Sequence, residues 1–432
     1  MHLLLAALQW VSFMVAGSIA APIAIADLFQ LSPSDTAGFI QRTIFVLGAA
    51  SLIQALFGHK LPINEGPAGL WWGVFAIYAG FAGTLYSSHE EVLTVLQGGM
   101  IVSGIIFFLL SATGILRKLT SLFTPTITFI YLMLLILQLS GSFIKGMFGI
   151  QQEGQPLEPL VLVGSVLTIL VALYFTHHKQ KWVQQYSIIL ALIVGWLIFL
   201  LMGLGTNTAV SSSWFSFPKV LVFGAPVFDT GVIVTSIFIT FLLTTNMIAS
   251  IRVMEEVMKA KGEPTYERYS KSGFAAGVNQ LLGGIFSSIG SVPISGAAGF
   301  VTATRMYSVI PFIIGSGCII IISLIPKIMN LFASLPAPVG YAVTTVIFIK
   351  MVGLALGEYR KEKNVERTHF VAGIALIVGV GAMFVPASAF SDLPIVVASI
   401  LNNGLILGTV IGIMVEQYSI FKQNRTLSSK NQ

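Results

Sequence analysis

Runs of about 20 mostly apolar residues follow one another along this chain with only short polar joints between them. Each is about the length a helix needs to cross a bilayer. They fall at roughly 3–25, 36–57, 67–87, 91–113, 124–145, 157–176, 184–204, 229–251, 271–290, 299–310 with a broken lead-in, 311–332, 337–356, 368–387 and 394–416. Only 9% of the 432 residues are charged and 55% are hydrophobic, whereas a soluble domain carries roughly 25% charge. Too few polar groups remain to cover a water-facing surface. The sequence therefore predicts an all-α polytopic membrane protein of fourteen transmembrane segments, a single membrane domain with no soluble domain at either end.

The first run, Leu3–Ala26, lacks a basic leader and exceeds the 7–15 residues of a signal-peptide core, so it reads as a span. Cys318 is the one cysteine and lies in an apolar run; a disulfide framework is excluded. The six histidines are scattered, and no metal cluster or cofactor motif is visible. The net charge of +6 comes from basic residues in short loops, where they set topology; nucleic acid is not an expected partner, and the bilayer is.

An even span count puts both termini on one side. With the termini cytoplasmic, the inner loops hold Arg117 and Lys118, Lys179 and Lys181, five basic residues from Arg252 to Lys271, then Arg360, Lys361, Lys363 and Arg367, and a tail with Lys422, Arg425 and Lys430. The outer loops are acidic or neutral: Asp27, Asp35, Glu90, Glu91, Glu153, Glu158 and Asp392. Only Lys145, Lys219 and Lys327 sit at outer ends. That alternation follows the positive-inside rule.

Two spans break in similar words. Leu61–Trp72 reads LPINEGPAGLWW, and Val292–Gly299 reads VPISGAAG. The first opens the third span and the second opens the tenth, seven spans later. The same offset pairs TPTITF at Thr124 with PAPVGYAV at Pro336. An odd number of spans per repeat inverts the second copy, and matched Gly/Pro-interrupted segments in two such halves point to a transporter's binding site. Proline lacks an N–H and glycine tolerates unwound backbone. Unwound backbone survives in a membrane only where protein or a water-filled cavity covers it. Its free amides, and the N-terminus of the helix that follows, can then hold a polar ligand. Gly66, Gly69, Ser295 and Gly296 are the candidate contacts at the breaks.

Polar side chains at membrane depth are the other candidates, because an unpaired carboxylate at the bilayer centre costs at least about 2.5–3.5 kcal/mol. Glu65 lies inside the first break. A carboxyl that gains and loses a proton as its surroundings change is what proton coupling requires. Asn246 lies mid-way along the eighth span in FLLTTNMIAS, with Ser250 one turn later on the same face. Asn offers donors and acceptors that suit a lactam or amidine edge. Gln9 occupies a comparable depth in the first span, the repeat partner of the eighth. Trp71 follows the first break and could stack on an aromatic ring. Arg305 reads as a tie near the cytoplasmic mouth, and Asp229 as a helix N-cap.

These pieces together carry a likeness. LQW in the first span, LPINEGPAG at the third, FD-G before the eighth, GFVTATR at Gly299–Arg305 and LPAPV at Leu335 resemble the nucleobase–ascorbate transporter family, the uracil/xanthine permeases, over essentially the whole chain. The resemblance implies two inverted seven-span repeats with short strands in spans 3 and 10. It implies a core domain (about 1–115 and 229–332), a gate domain (about 116–228 and 333–418), a cytoplasmic tail (419–432) and an elevator-type motion of core against gate. It further implies a homodimer in the cytoplasmic membrane that imports a nucleobase, here a purine such as xanthine, urate or hypoxanthine, with protons, or with sodium in some members. Two departures stand out. Asn246 occupies the position of the family's gripping Glu in the eighth span, and Ser250 that of a His. Gly296 and Ala297 fall where the signature carries an acidic or amide residue and an Asn.

The second reading is an anion transporter of the sulfate/bicarbonate type, which shares the fold. That class usually adds a soluble C-terminal domain and would favour a basic residue in the site. A membrane enzyme would need a nucleophile–base pair or a metal cluster at the breaks, and neither is found; the chain reads as a non-enzyme.

Overall fold

The computed structural model describes residues 2–116, 124–150, 155–205, 213–386 and 403–430, with 389, 393, 397 and 401 as single positions between. Arg117, Lys118, Glu153, Asp392 and the first part of the 394–416 run lie outside the described residues. The elements are α1 (His2–Ser18), α2 (Ala20–Leu28), α3 (Pro33–Leu56), β1 (Glu65–Pro67), α4 (Gly69–Ala79), α5 (His89–Thr113), α6 (Pro125–Met147), α7 (Pro159–Thr176), α8 (Lys181–Gln185) and α9 (Ser187–Leu201). The second half holds α10 (Thr230–Lys259), α11 (Tyr269–Ile285), β2 (Ser291–Pro293), α12 (Gly296–Thr304), α13 (Val309–Ser323), α14 (Pro326–Ala333), α15 (Ala337–Lys361), α16 (Val365–Met383) and α17 (Gly404–Lys430).

Among the described residues eight helices are long and apolar enough to cross a membrane, nine if α13 and α14 count as one bent span. Their starts follow from local chemistry. Ser32, Ser88, Thr124 and Asp229 each accept a backbone N–H three residues on, as N-caps do, at Asp35, Glu91, Ile127 and Val232. Pro33 and Pro125 occupy the first helical position, where a missing N–H does no harm.

Several expected spans come out differently, among them the 184–204 run, which yields the 15 residues of α9. The 67–87 run yields only the 11 residues of α4; Gly80 caps it and the chain turns through Gly83, whose φ is 76°. The 299–310 run yields the 9-residue α12, which begins earlier, at Gly296. The 311–332 run is not straight: α13 and α14 meet at 85°. Pro326 begins α14, and a proline there can neither donate to the preceding turn nor fit against its carbonyl.

The helices pack closely within two sets. In one, α11 lies on α5 and α3, α13 on α3 and α1, and α10 on α5. In the other, α15 lies on α6 and α7, α17 on α16 and α6, and α9 on α7. The sets meet where α2 touches α15, α4 touches α6, and α1 touches α9. Aromatic rings fill the seams. Trp72 of α4 sits 5.2 Å from Phe143 of α6 and 6.4 Å from Phe348 of α15, between ring centroids. The Tyr341 hydroxyl of α15 lies within hydrogen-bond reach of two acceptors, the Ala24 carbonyl at 3.0 Å and Asp27 at the end of α2 at 3.1 Å.

Candidate functional site

The two interrupted segments meet. β1 and β2 pair antiparallel, with Glu65 opposite Pro293, Gly66 opposite Val292 and Pro67 opposite Ser291. The Ile294 N–H to Asn64 carbonyl bond (2.9 Å) flanks the ladder on one side, and the Ala68 N–H to Gly290 carbonyl bond (2.9 Å) on the other. The ribbon is short for a reason written in the sequence: Pro67 and Pro293 have no N–H to donate, and proline is tolerated only at strand ends and edges. The chain leaves each strand directly into a helix, α4 after β1 and α12 after β2.

Close backbone approach explains two glycines. A Cβ at Gly66 would sit 2.6 Å from Ile294 Cγ1, and one at Gly290 would sit 2.3 Å from Trp71 Cδ1. Trp71 is fully buried and its indole N–H donates to Gln280 Oε1 at 2.8 Å, while Gln280 Nε2 donates to the Ser291 carbonyl at 2.7 Å. The ring therefore backs β2 and cannot step aside. Gly290→Ala is expected to lower stability by about 1–3 kcal/mol through overpacking, read as a fall in the thermal midpoint of purified protein. An unchanged midpoint would mean the ribbon is loosely held.

Glu65 is buried at 1% exposure. Its N–H donates to Ser51 Oγ of α3 at 2.9 Å, and the Ser291 and Asn279 side chains flank its carboxyl. Glu65 Oε1 and Asn279 Oδ1 are both buried with no hydrogen-bond partner, and among the described residues no cation pairs with this carboxyl. A buried polar group is normally satisfied; Ser291 and Asn279 give this carboxyl side-chain hydrogen bonds, and Oε1 is the carboxyl oxygen left over for a proton, a water or a ligand.

α10 reaches the ribbon through Ser250, whose hydroxyl donates to the Pro293 carbonyl at 2.9 Å and lies 3.4 Å from Asn246 Oδ1. A hydroxyl has one proton, and the shorter bond takes it. The half-buried carboxamide of Asn246 thus keeps its hydrogen-bonding capacity for something else. Ser295 and Gly296 are exposed at the start of α12, and half-buried Gly69 is the first residue of α4.

The structure thus gathers Glu65, Gly66, Ser250 and Asn246 at the strand pair. Gln9 falls to its side: α1 packs on β1, but the Gln9 side chain bonds to Tyr186, just before α9. Trp71 spends its polar atom on Gln280 and faces the back of β2, so its role is packing rather than the stacking expected of it. Arg305 is exposed in the left-handed region, with φ at 59°, and caps α12. Asn279, Gln280 and Ser51 are the residues that sequence reading missed. Adjacent amides inside an apolar run were the available signal, the same one that flagged Asn246.

The geometry has counterparts. The model of the xanthine/uracil permeases, described as the Permease family, matches residues 1–388. YwdJ of Bacillus subtilis, whose name assigns it to the purine permeases, is 45% identical over 99% of this chain and 98% of its own. The uric acid permease PucJ of the same organism is 25% identical over 98% and 94%. The uric acid transporter UacT of Escherichia coli is 24% identical over 96% and 86%. In fold the chain is similar to the transmembrane domain of the cyanobacterial bicarbonate transporter BicA, with a TM-score of 0.59 at 12% identity over 94% of this chain and 96% of that one. It is also similar to the murine anion transporter Slc26a9 in its inward-facing state, with a TM-score of 0.64 at 11% identity over 98% and 68%. Matched over most of its length and closely related to a permease, this multi-pass membrane chain belongs to the xanthine/uracil permease family.

Proposed function

We propose that the protein is a secondary active transporter that imports a purine such as xanthine, urate or hypoxanthine across the cytoplasmic membrane by proton symport. One observation carries the reading: a strand pair between apolar helices holds a carboxyl oxygen without a partner, beside it a half-buried carboxamide, and, among the described residues, no cation paired with that carboxyl. A purine presents a flat edge of alternating donors and acceptors, which Asn246 and the unwound backbone at Gly66, Gly69, Ser295 and Gly296 can match. The names of YwdJ, PucJ and UacT support the same class. Glu65 is the proton-coupling group in this scheme, and Ser250 contacts the purine beside Asn246.

The mechanism we attach to this is an elevator. Fourteen segments form two inverted seven-span repeats, with a core of about 1–115 and 229–332 moving against a gate of about 116–228 and 333–418. Both termini and the 419–432 tail are cytoplasmic, as the basic loops suggest, and two copies form a homodimer. Trp72, Phe143 and Phe348 lie on the surface across which such sliding would occur.

The second reading, an anion transporter of the sulfate/bicarbonate type, is favoured by the likeness to BicA and Slc26a9, which concerns fold alone. A thermal-shift panel on purified protein separates the two. Ligand that binds only the folded state stabilises by about 2.7 kcal/mol at a hundred times its Kd. A raised midpoint with one of xanthine, urate or hypoxanthine is the expected result. A rise with bicarbonate or sulfate and with no purine would replace the first reading by the second.

A further inference from the structure

Beyond the strand pair, the molecule has a cavity of about 400 Å³ where α3 ends, walled by Leu56, Leu61, Pro264, Tyr266 and Val309 and by the polar residues His59, Lys60 and Thr265. Its floor is a fixed turn. Arg268 donates Nε to the Gly58 carbonyl at 2.7 Å and Nη2 to the Phe57 carbonyl at 3.3 Å. Lys60 stands in the left-handed region, with φ at 61°, and its N–H bonds to the Gln54 carbonyl. A non-glycine residue in that conformation persists only where its surroundings enforce it.

His59 is buried at 2% exposure. Its Nδ1 accepts the Leu61 N–H at 3.0 Å, so in the neutral ring the proton sits on Nε2. Burial first, and the Arg268 charge second, push the imidazole down to about 3 and keep it neutral. Nε2–H is then a buried donor, and it has no partner in the protein. The carboxylates of the neighbouring loop, Glu263 and Glu267, do not line the cavity. What lines it is a donor without an acceptor, an ammonium group, the hydroxyls of Thr265 and Tyr266, and apolar walls, with no carboxylate among them.

We infer that this cavity is a second ligand site, distinct from the strand pair, and that it takes a phosphate-bearing anion. One phosphate oxygen accepts from His59 Nε2–H and another meets Lys60, while the ester's organic part lies on Leu56, Tyr266 and Val309. A phosphate suits this set because it carries several acceptors and no obligatory donor, and Lys is a point-charge phosphate binder. Its volume lies at the small end of ligand pockets, roughly 300–1,000 Å³. The phosphate has two sources. Leu56 and Phe57 are 43% and 68% exposed beside the opening, as at a lipid boundary, which suits a headgroup; a soluble sugar phosphate offers the same chemistry.

Full-length protein in detergent, titrated with inorganic phosphate, ribose 5-phosphate and short-chain phosphatidylglycerol while the thermal midpoint is followed, tests this. At least one probe is expected to raise the midpoint. Lys60→Gln and His59→Phe should each weaken that probe by roughly tenfold, the worth of one charge-assisted or buried hydrogen bond. His59→Gln, which keeps a donor, should weaken it less. A response to inorganic phosphate or ribose 5-phosphate assigns a soluble anion, and a response to phosphatidylglycerol alone assigns a headgroup; either supports the site. No response to any of the three overturns it. So does a response that Lys60→Gln leaves at wild-type strength, a result that stands even if His59→Phe does not fold, because Lys60 is exposed.

Discussion

Replacing Glu65 with glutamine leaves purine binding and exchange intact and abolishes accumulation driven by a pH gradient. The folded state tolerates the change: the side chain keeps its shape and an oxygen that can still accept from Ser291 and Asn279. Ser51 continues to hold the backbone at residue 65. What glutamine cannot do is carry a proton across. One proton descending a gradient of one pH unit supplies about 1.4 kcal/mol, which sets the accumulation ratio at no more than about tenfold per proton. In proteoliposomes with an imposed pH gradient and no other driving force, the wild type should approach that ratio and the variant should stop at unity. Counterflow of labelled purine should remain comparable in both. A variant that still concentrates purine under the pH gradient removes Glu65 from the coupling role.

Asn246→Leu is the complementary case, expected to lose binding while keeping the fold. The Ser250 bond to the Pro293 carbonyl does not involve Asn246, so the seating of α10 on β2 survives, and leucine is at home in a membrane helix. The bound purine, however, would face an apolar group where its edge needs a donor or acceptor. An unmet buried polar group costs about 1–3 kcal/mol, or roughly 5- to 150-fold in affinity. Thermal-shift titration with the responsive purine reads this directly. Uptake and binding at wild-type strength would reduce Asn246 to a helix–helix tie.

How much of this was legible depends on which residues carried the information. The ribbon was signalled twice, at PINEGPAG and PISGAAG, because proline and glycine are the residues an unwound membrane segment requires; the two copies also told which segments to compare. The N-cap at Asp229 could be read from its own neighbourhood. The bend before Pro326 was hidden because the flanking Ile320–Ile325 stretch is nearly all apolar, and apolar runs report length but not straightness. Trp71 was misjudged because its partner, Gln280, is about 210 residues away; a tryptophan beside a binding motif looks the same whether it faces ligand or core. Asn279 escaped for the related reason that its meaning comes from Glu65 on another element. The cavity at His59 is assembled from α3, the 260–268 loop and α13, and no local stretch predicts such a meeting.

The two strands of the ribbon are about 230 residues apart in the chain, and that separation has a consequence in time. At roughly 5–20 residues per second of synthesis, β1 is made roughly 10–50 seconds before β2 exists. Throughout that interval the first half stands in the membrane with the C=O of Asn64 and the N–H of Ala68 unmatched and Glu65 without its flanking side chains. Lipid cannot satisfy them, so the young first half must keep water, or another protein, against this segment until the second half arrives. Closure of the ribbon is therefore a late step in biogenesis, and the nascent first half is the stage at which quality control has an exposed polar seam to recognise.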